Sequence, residues 1–423
     1  MSSITNTRDE MAASPADGKA YEQATSRQAS ENRLRAFHRR GTIVLVSLGL
    51  LTIVMSLISA GTGQVTIHPD QAITILMDEF NISLPFEVNI RVGDGTFNIP
   101  AEYDSPRQDG TLLSIRLPRV ILGLLIGASL AAGGTLIQGM FRNPLADPGL
   151  IGISGGAAFA AALVIVMGNM AAIVNIADWL AEMSIPLLPD VLRAIGEWQM
   201  AAGIPLLPVG AFLGGLLTTF AIYRIATING RTSVATMLLA GIALNALAGA
   251  GIGMLISRAQ DVEIRDITFW NLGSLVGTTW DKVEMALPFI LLALLPMLFL
   301  ARPLNALLLG DMEAEHLGYN VERVKQMIVV IAAVAVGAGV AVAGIISFVG
   351  LVVPHLTRML VGPDHRYVIP GSALLGGALL VTADLFARTN SSGEIPLGVV
   401  TALIGAPFFI YLLLRDRRRG TLA

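Results

Sequence analysis

Leu304-Asn-Ala-Leu-Leu-Leu-Gly-Asp-Met-Glu-Ala-Glu-His-Leu-Gly-Tyr-Asn320 is a short polar stretch held between two long apolar runs, 282–300 and 324–348. Each run is long enough to cross a hydrocarbon layer, so the stretch between them emerges into water on one side of a membrane. Its composition predicts a turn followed by a short helix. Gly310 can break the chain direction, Asp311, Glu313 and Glu315 favour a helix start through the helix dipole, and Gly318 can end the helix about two turns later. A rigid peg of that size fits a groove on a separate subunit.

Working outward, composition fixes the class. The chain has 423 residues, 54% hydrophobic and 14% charged, with a mean hydropathy of +0.68. Soluble proteins carry about a quarter charged residues, and repeated runs of about 20 residues nearly free of charge read as membrane helices. An all-α polytopic membrane protein is expected. Spans are predicted over 41–60, 117–140, 148–168, 205–226, 233–256, 282–300, 324–348, 367–386 and 397–414. Residues 351–361 are too short to cross a 30 Å core and read as a half-span shielded by protein, which brings the expectation to about ten helices.

Basic residues set the orientation. Arg33, Arg35, Arg39 and Arg40 precede the first span and retain the amino terminus in the cytosol. Arg142, Arg224, Arg231, Arg302, Lys325, Arg358, Arg366, Arg415 and residues 417–419 then also fall on the cytosolic side, so both termini are expected there. Residues 1–40 are polar, lack an apolar signal core and read as a disordered cytosolic tail; 41–415 form the membrane domain and 416–423 a second tail. Residues 61–114 are a folded external loop, and 169–203 an enlarged surface segment. Arg116, Arg119 and Arg388 break the orientation rule by lying outside. They either snorkel to headgroups or offer guanidiniums to the carboxylates of a soluble partner.

Many of the 44 glycines fall within spans, and Gly123 with Gly127, Gly210 with Gly214 and Gly249 with Gly253 have the spacing that lets helices approach closely in lipid. Residues 240–253 are so depleted of bulk that one side can border a cavity. Asn245, near the middle, either bonds a neighbouring helix or lines a path.

Energy coupling is read from what the sequence does not contain. Within the spans Asp384 is the main ionisable candidate, so no carboxylate or His series supports a proton- or sodium-driven carrier. No GxxxxGK[ST] loop is present and the lysines are Lys19, Lys282 and Lys325, so the chain has no recognisable ATP site of its own. Neither an HExxH motif nor a Ser and Lys dyad marks an intramembrane enzyme. The absence of cysteine excludes disulfides and thiolate metal sites. The histidines, His38, His68, His316, His355 and His365, form no ligand pattern, and neither a metal nor a cofactor is expected. A transporter of this composition takes its energy from another subunit.

On Arg116-Leu-Pro-Arg119, Gln138-Gly-Met-Phe-Arg-Asn-Pro-Leu-Ala-Asp-Pro-Gly-Leu-Ile-Gly-Ile-Ser154, Phe269-Trp-Asn-Leu-Gly-Ser274, Leu309-Gly-Asp311, Gly344-Ile-Ile-Ser-Phe-Val-Gly-Leu-Val-Val-Pro-His-Leu-Thr-Arg358, and Glu394-Ile-Pro-Leu-Gly398 with Gly405-Ala-Pro407, the chain resembles the permease subunits of type II ABC importers for iron chelates and cobalamin, the BtuC-like family. The resemblance covers residues 41–415. It implies a homodimer in a bacterial inner membrane, served by two cytosolic ATP-binding subunits and an external substrate-binding protein, with no nucleic-acid partner. It also implies a coupling helix at 304–320 that contacts the ATPase through Leu309, Gly310, Asp311, Glu313, Ala314, Leu317 and Gly318. By the same resemblance, Arg116, Arg119 and Arg388 pair with glutamates of the binding protein, and Leu239, Ala243, Asn245, Ala246, Gly249 and Gly253 border the translocation path. The wording at 269–275 and 307–318 is closer to the heme branch than to ferric siderophore carriers, with cobalamin a further cargo of the family. An ion-coupled secondary transporter and a receptor-like member that does not transport are the rival classes.

Overall fold

The structure is a computed structural model and describes residues 15–63, 65–82, 88–92, 95–101, 107–167, 205–389 and 393–418. The enlarged segment at 169–203 lies outside the described residues. Helix α1, Pro15–Gly61, is continuous over 47 residues. Residues 15–40, expected as disordered tail, are therefore helical: from Lys19 to Arg40 the chain has no Gly or Pro and is rich in Ala, Glu, Gln and Arg, which extend a helix readily.

The loop after α1 is folded. Helix α2, Pro69–Glu79, opens with Pro at its first position, and Gln71 accepts the His68 N–H at 3.0 Å. Strands β1, Val88–Val92, and β2, Gly95–Ile99, pair antiparallel with Val88 opposite Ile99. This hairpin is strapped to α2 by Asn98 N–H to Asp70 at 3.3 Å and Ala101 N–H to the Thr74 hydroxyl at 2.9 Å. Ala60, Ile67, Ala72, Ile75 and Leu112 form a small core beneath it.

A π-helical segment, Gly110–Arg116, runs directly into α3, Leu117–Phe141. A 3-10 turn, Pro148–Ile151, precedes α4, Ile153–Met167. After α5, Leu206–Ala226, a two-residue ribbon of β3, Thr227–Ile228, and β4, Arg231–Thr232, turns through Asn229 and Gly230 into α6, Val234–Ile256. Then follow α7, Asp261–Leu272; α8, Trp280–Met297; α9, Ala301–Leu307; α10, Asp311–His316; α11, Val321–Ala343; α12, Val349–Val361; α13, His365–Thr389; and α14, Leu397–Arg418. Among the described residues seven helices are long and apolar enough to cross a membrane, and α4, α12 and Leu397–Leu412 are shorter apolar helices, in line with the expected number. The half-span expected at 351–361 is α12, 13 residues long and buried over most of its first two turns.

Helix α3 is the axis of the bundle, with 78% of its most apolar window buried. It packs most closely on α13. A Cβ at Gly127 would land on the Gly376 carbonyl, and one at Gly134 on the Gly350 carbonyl, so small residues here are required by backbone contact. At the other extreme is α6, with 6% of its window buried.

Candidate coupling and docking sites

Helix α10 is a six-residue peg framed by two glycines at positive φ, Gly310 at 134° and Gly318 at 88°. Asp311 fixes its position: the carboxylate receives Arg142 at 2.8 Å and Lys325 at 2.6 Å, tying α10 to the end of α3 and the first turns of α11. Lys325 is buried and also reaches Glu322 at 3.6 Å, while Glu322 accepts the Thr232 N–H at 3.0 Å. The peg is thus bound to the β3–β4 ribbon as well. A polar cavity of 710 Å³ opens between the two, lined in part by Arg231, Asp311, Glu315 and Lys325.

Of the residues predicted to face an ATPase, Leu309 and Leu317 are exposed, and Met312, absent from that prediction, is exposed beside them. Gly310 and Ala314 are buried and correct the expectation: Gly310 sets the turn into α10 and Ala314 seats it on its neighbours, so neither faces a partner. Glu313 folds back toward Gly310, where a Cβ would collide with its carboxylate.

At the opposite end of the bundle the three exceptional arginines come together, but none projects as a free guanidinium. Arg116 is buried and donates to the carbonyls of Ala60 at 2.8 Å, Gly61 at 3.0 Å and Val65. Arg388 donates to Thr62 O at 2.9 Å, to Ser59 O and to the Ser59 hydroxyl at 2.9 Å. Both therefore cap the carboxyl end of α1, where carbonyls lack helical partners and the dipole is negative. Arg119 pairs with Asp384 at 2.8 Å and Glu394 at 2.7 Å. Snorkelling does not describe Arg116, and neither does an open basic rim.

Along α6, Leu239, Ala243, Ala246, Gly249 and Gly253 are exposed, and added Cβ atoms at Gly249 and Gly253 would meet no described atom within 4 Å. Asn245 departs from this set. It is turned toward the 3-10 turn, donating to Gly149 O at 3.1 Å, and its carbonyl oxygen crowds Gly155. The path-lining expectation for Asn245 is corrected to a link between helices. Nearby, Asp147 accepts the Gly149 N–H at 2.6 Å; burial pushes its carboxyl above the usual carboxylate range, with that hydrogen bond pulling the other way.

Residues 51–415 match the FecCD transport family. The chain belongs to the FecCD transport family. It is 43% identical over 308 residues to the hemin transport system permease protein HmuU of Yersinia pestis, covering 73% of this chain and 84% of that protein. It is also 43% identical over 319 residues to the cobalamin import system permease protein BtuC of Halobacterium salinarum, covering 75% and 77%. A solved structure of a metal-chelate type ABC transporter in an inward-facing conformation superposes with a TM-score of 0.68 at 27% identity, covering 88% of this chain and 99% of that one. This FecCD protein is accordingly a permease, the multi-pass membrane component of an ABC importer.

Sequence reasoning about the FecCD chain missed a polar cluster beneath the α10 loop. Gln138 donates to Gly350 O at 3.2 Å and Leu351 O at 3.0 Å and receives Arg358, while Asn305 bonds Asp364 at 2.7 Å and the His365 ring at 2.8 Å. Gln138 and Arg358 stand inside motifs that the sequence displays, yet nothing in their spacing shows that they meet.

Proposed function

We propose that this permease imports a metal chelate, heme in preference to a ferric siderophore or cobalamin, as a homodimer driven by two cytosolic ATP-binding subunits and fed by an external substrate-binding protein. The carrying observation is α10: a peg pinned through Asp311 to two other elements, presenting Leu309, Met312 and Leu317 to solvent, in a chain without a phosphate-binding loop. A peg fixed in this way passes a displacement on to α3 and α11, whereas an untethered loop would absorb it. On this reading the α10 end and both termini face the cytosol.

The two α6 faces would meet around the molecular axis, with Leu239, Ala243, Ala246, Gly249 and Gly253 bordering the path. No chemistry on the cargo is required. A loaded binding protein docks at the arginine end and releases the chelate between the subunits, and closure of the ATPases pulls the α10 pegs to reorient the gates. Arg116 and Arg388 contribute by holding the end of α1, leaving Arg119, of the three, to meet the docking protein.

Preference for heme is supported by the wording at 269–275 and 307–318 and by likeness to a hemin permease; the cobalamin relative, at the same identity, makes a three-way test necessary. Cells lacking only this chain are assayed for growth on hemin or on a ferric siderophore as sole iron source, and for uptake of labelled cobalamin. Loss on hemin alone is expected. Loss confined to the siderophore or to cobalamin replaces the cargo and leaves the permease reading in place.

A further inference from the structure

Both edges of the Arg119 guanidinium are occupied. Nε and Nη2 donate to Asp384 at 2.8 to 3.1 Å, and Nη1 and Nη2 donate to Glu394 at 3.1 and 2.7 Å. The two carboxylates differ in kind. The Asp384 side chain lies within α13, is 5% exposed, and has a second cation, Arg388, at 3.7 Å. Glu394 lies on the connection to α14, is 38% exposed, and pairs with Arg119. With Arg388 partnering Asp384, the four charges balance, and the outer edge of Arg119 belongs to Glu394.

We propose that Glu394 is a built-in stand-in for a carboxylate of the docking protein. This rests on the reading that the substrate-binding protein approaches the arginine end. A soluble carboxylate can reach Arg119 only from outside, because the inner edge is filled by a buried group. A planar guanidinium edge donates to one bidentate carboxylate at a time. Docking is therefore an exchange in which the partner's carboxylate displaces Glu394, and the partner surface that fits is acidic and presents at least one protruding Asp or Glu.

Release of Glu394 has a structural consequence. It lies in the lead-in to α14, where the Ile395 N–H donates to Ala387 O at 3.3 Å and the Leu397 N–H to Gly273 O at 2.9 Å. These bonds join the ends of α13, α7 and α14. Displacing Glu394 loosens that junction, so the arrival of the partner is felt where three helices meet. Arg116 and Arg388, engaged on the carbonyls of α1, are positioning residues in this scheme.

The test uses the full permease with its ATP-binding subunits in lipid nanodiscs and the purified substrate-binding protein of the same importer as probe. Glu394→Gln keeps a hydrogen bond to Arg119 but removes the charge, and is expected to bind the probe about fivefold more tightly at fixed salt, the scale of one partly exposed charged pair. Unchanged or weaker binding overturns the exchange. Glu284→Gln removes an exposed carboxylate from the start of α8 without touching Arg119; equal tightening there would reduce the effect to net charge and overturn it too. In the unaltered complex, amide hydrogen exchange at Ile395 and Leu397 is expected to speed up when the probe binds, and unchanged or slower exchange counts against the proposal. Arg119→Lys separates the layers: weaker docking with no gain from Glu394→Gln refutes the exchange alone, whereas docking indifferent to both changes refutes the arginine-end reading with it.

Discussion

Gly310 and Arg116 show how single positions divide between function and structure. At a φ of 134° Gly310 occupies backbone territory that a side chain resists, and an added Cβ would strike the Glu313 carboxylate. Gly310→Val should disturb the buried turn that sets α10, so that in protein that reaches the membrane and is reconstituted with its ATP-binding subunits, ATP-driven uptake falls relative to ATP hydrolysis. Uptake that tracks hydrolysis as before would remove the peg from the mechanism. Arg116→Leu tests the opposite role. It removes the Arg116 donor from the carbonyls of Ala60 and Val65, while Gly61 O keeps the Ile67 N–H at 3.1 Å, at about 1–3 kcal/mol for each acceptor left unpaired. A clear fall in melting temperature of the detergent-solubilised permease is expected, with the salt dependence of binding-protein docking unaltered. A stable variant whose docking loses its salt sensitivity would instead return Arg116 to the interface.

At the scale of elements, what was legible depended on whether the deciding contact is local. The membrane helices and the α10 turn were readable because long apolar runs and flanking glycines act within their own segment. The outward side of α10 was not, since six residues make fewer than two turns and carry too little periodicity to show that Ala314 points inward and Met312 outward. The arginines stood out as exceptions to the orientation rule, but the partners of Arg119 lie 265 and 275 residues away in the chain, beyond any spacing argument. The three glycine pairs divide in a telling way. Gly127 meets Gly376 and Gly214 meets Gly156, so two pairs serve packing inside the chain, whereas a Cβ at Gly249 or Gly253 would meet no described atom within 4 Å. Among the described residues this makes α6 the element to probe. Ala246→Phe, on the open face, should insert normally and cut uptake at least tenfold if a cargo path runs there. The same loss of uptake with normal membrane levels is not expected of Asn245→Ala, whose defect should be in stability through the lost bond to Gly149. Uptake unharmed by Ala246→Phe would move the path away from this face.

For the whole molecule, the uneven burial of the spans argues for a second copy. A single chain buries 78% of the best window of α3 but 6% of that of α6, although both are apolar and of similar length. In lipid an exposed apolar helix is not itself a fault, because the tails are as apolar as leucine; helices gain from association through close packing of small residues. The open face of α6 offers that kind of surface, with Ala243, Ala246, Gly249 and Gly253 following one another at helical spacing. A two-fold axis beside it would bring the face against its own copy and enclose a path between them. The chain has no cysteine, so a single introduced thiol reports on this axis without background. Ala246→Cys should be joined to its copy by a bifunctional thiol reagent long enough to span the path in native membranes, while Leu217→Cys, on an exposed position of α5, should not. A cross-link at residue 217 and none at 246 would place the copies on another face, and the path proposed along α6 would have to move with them.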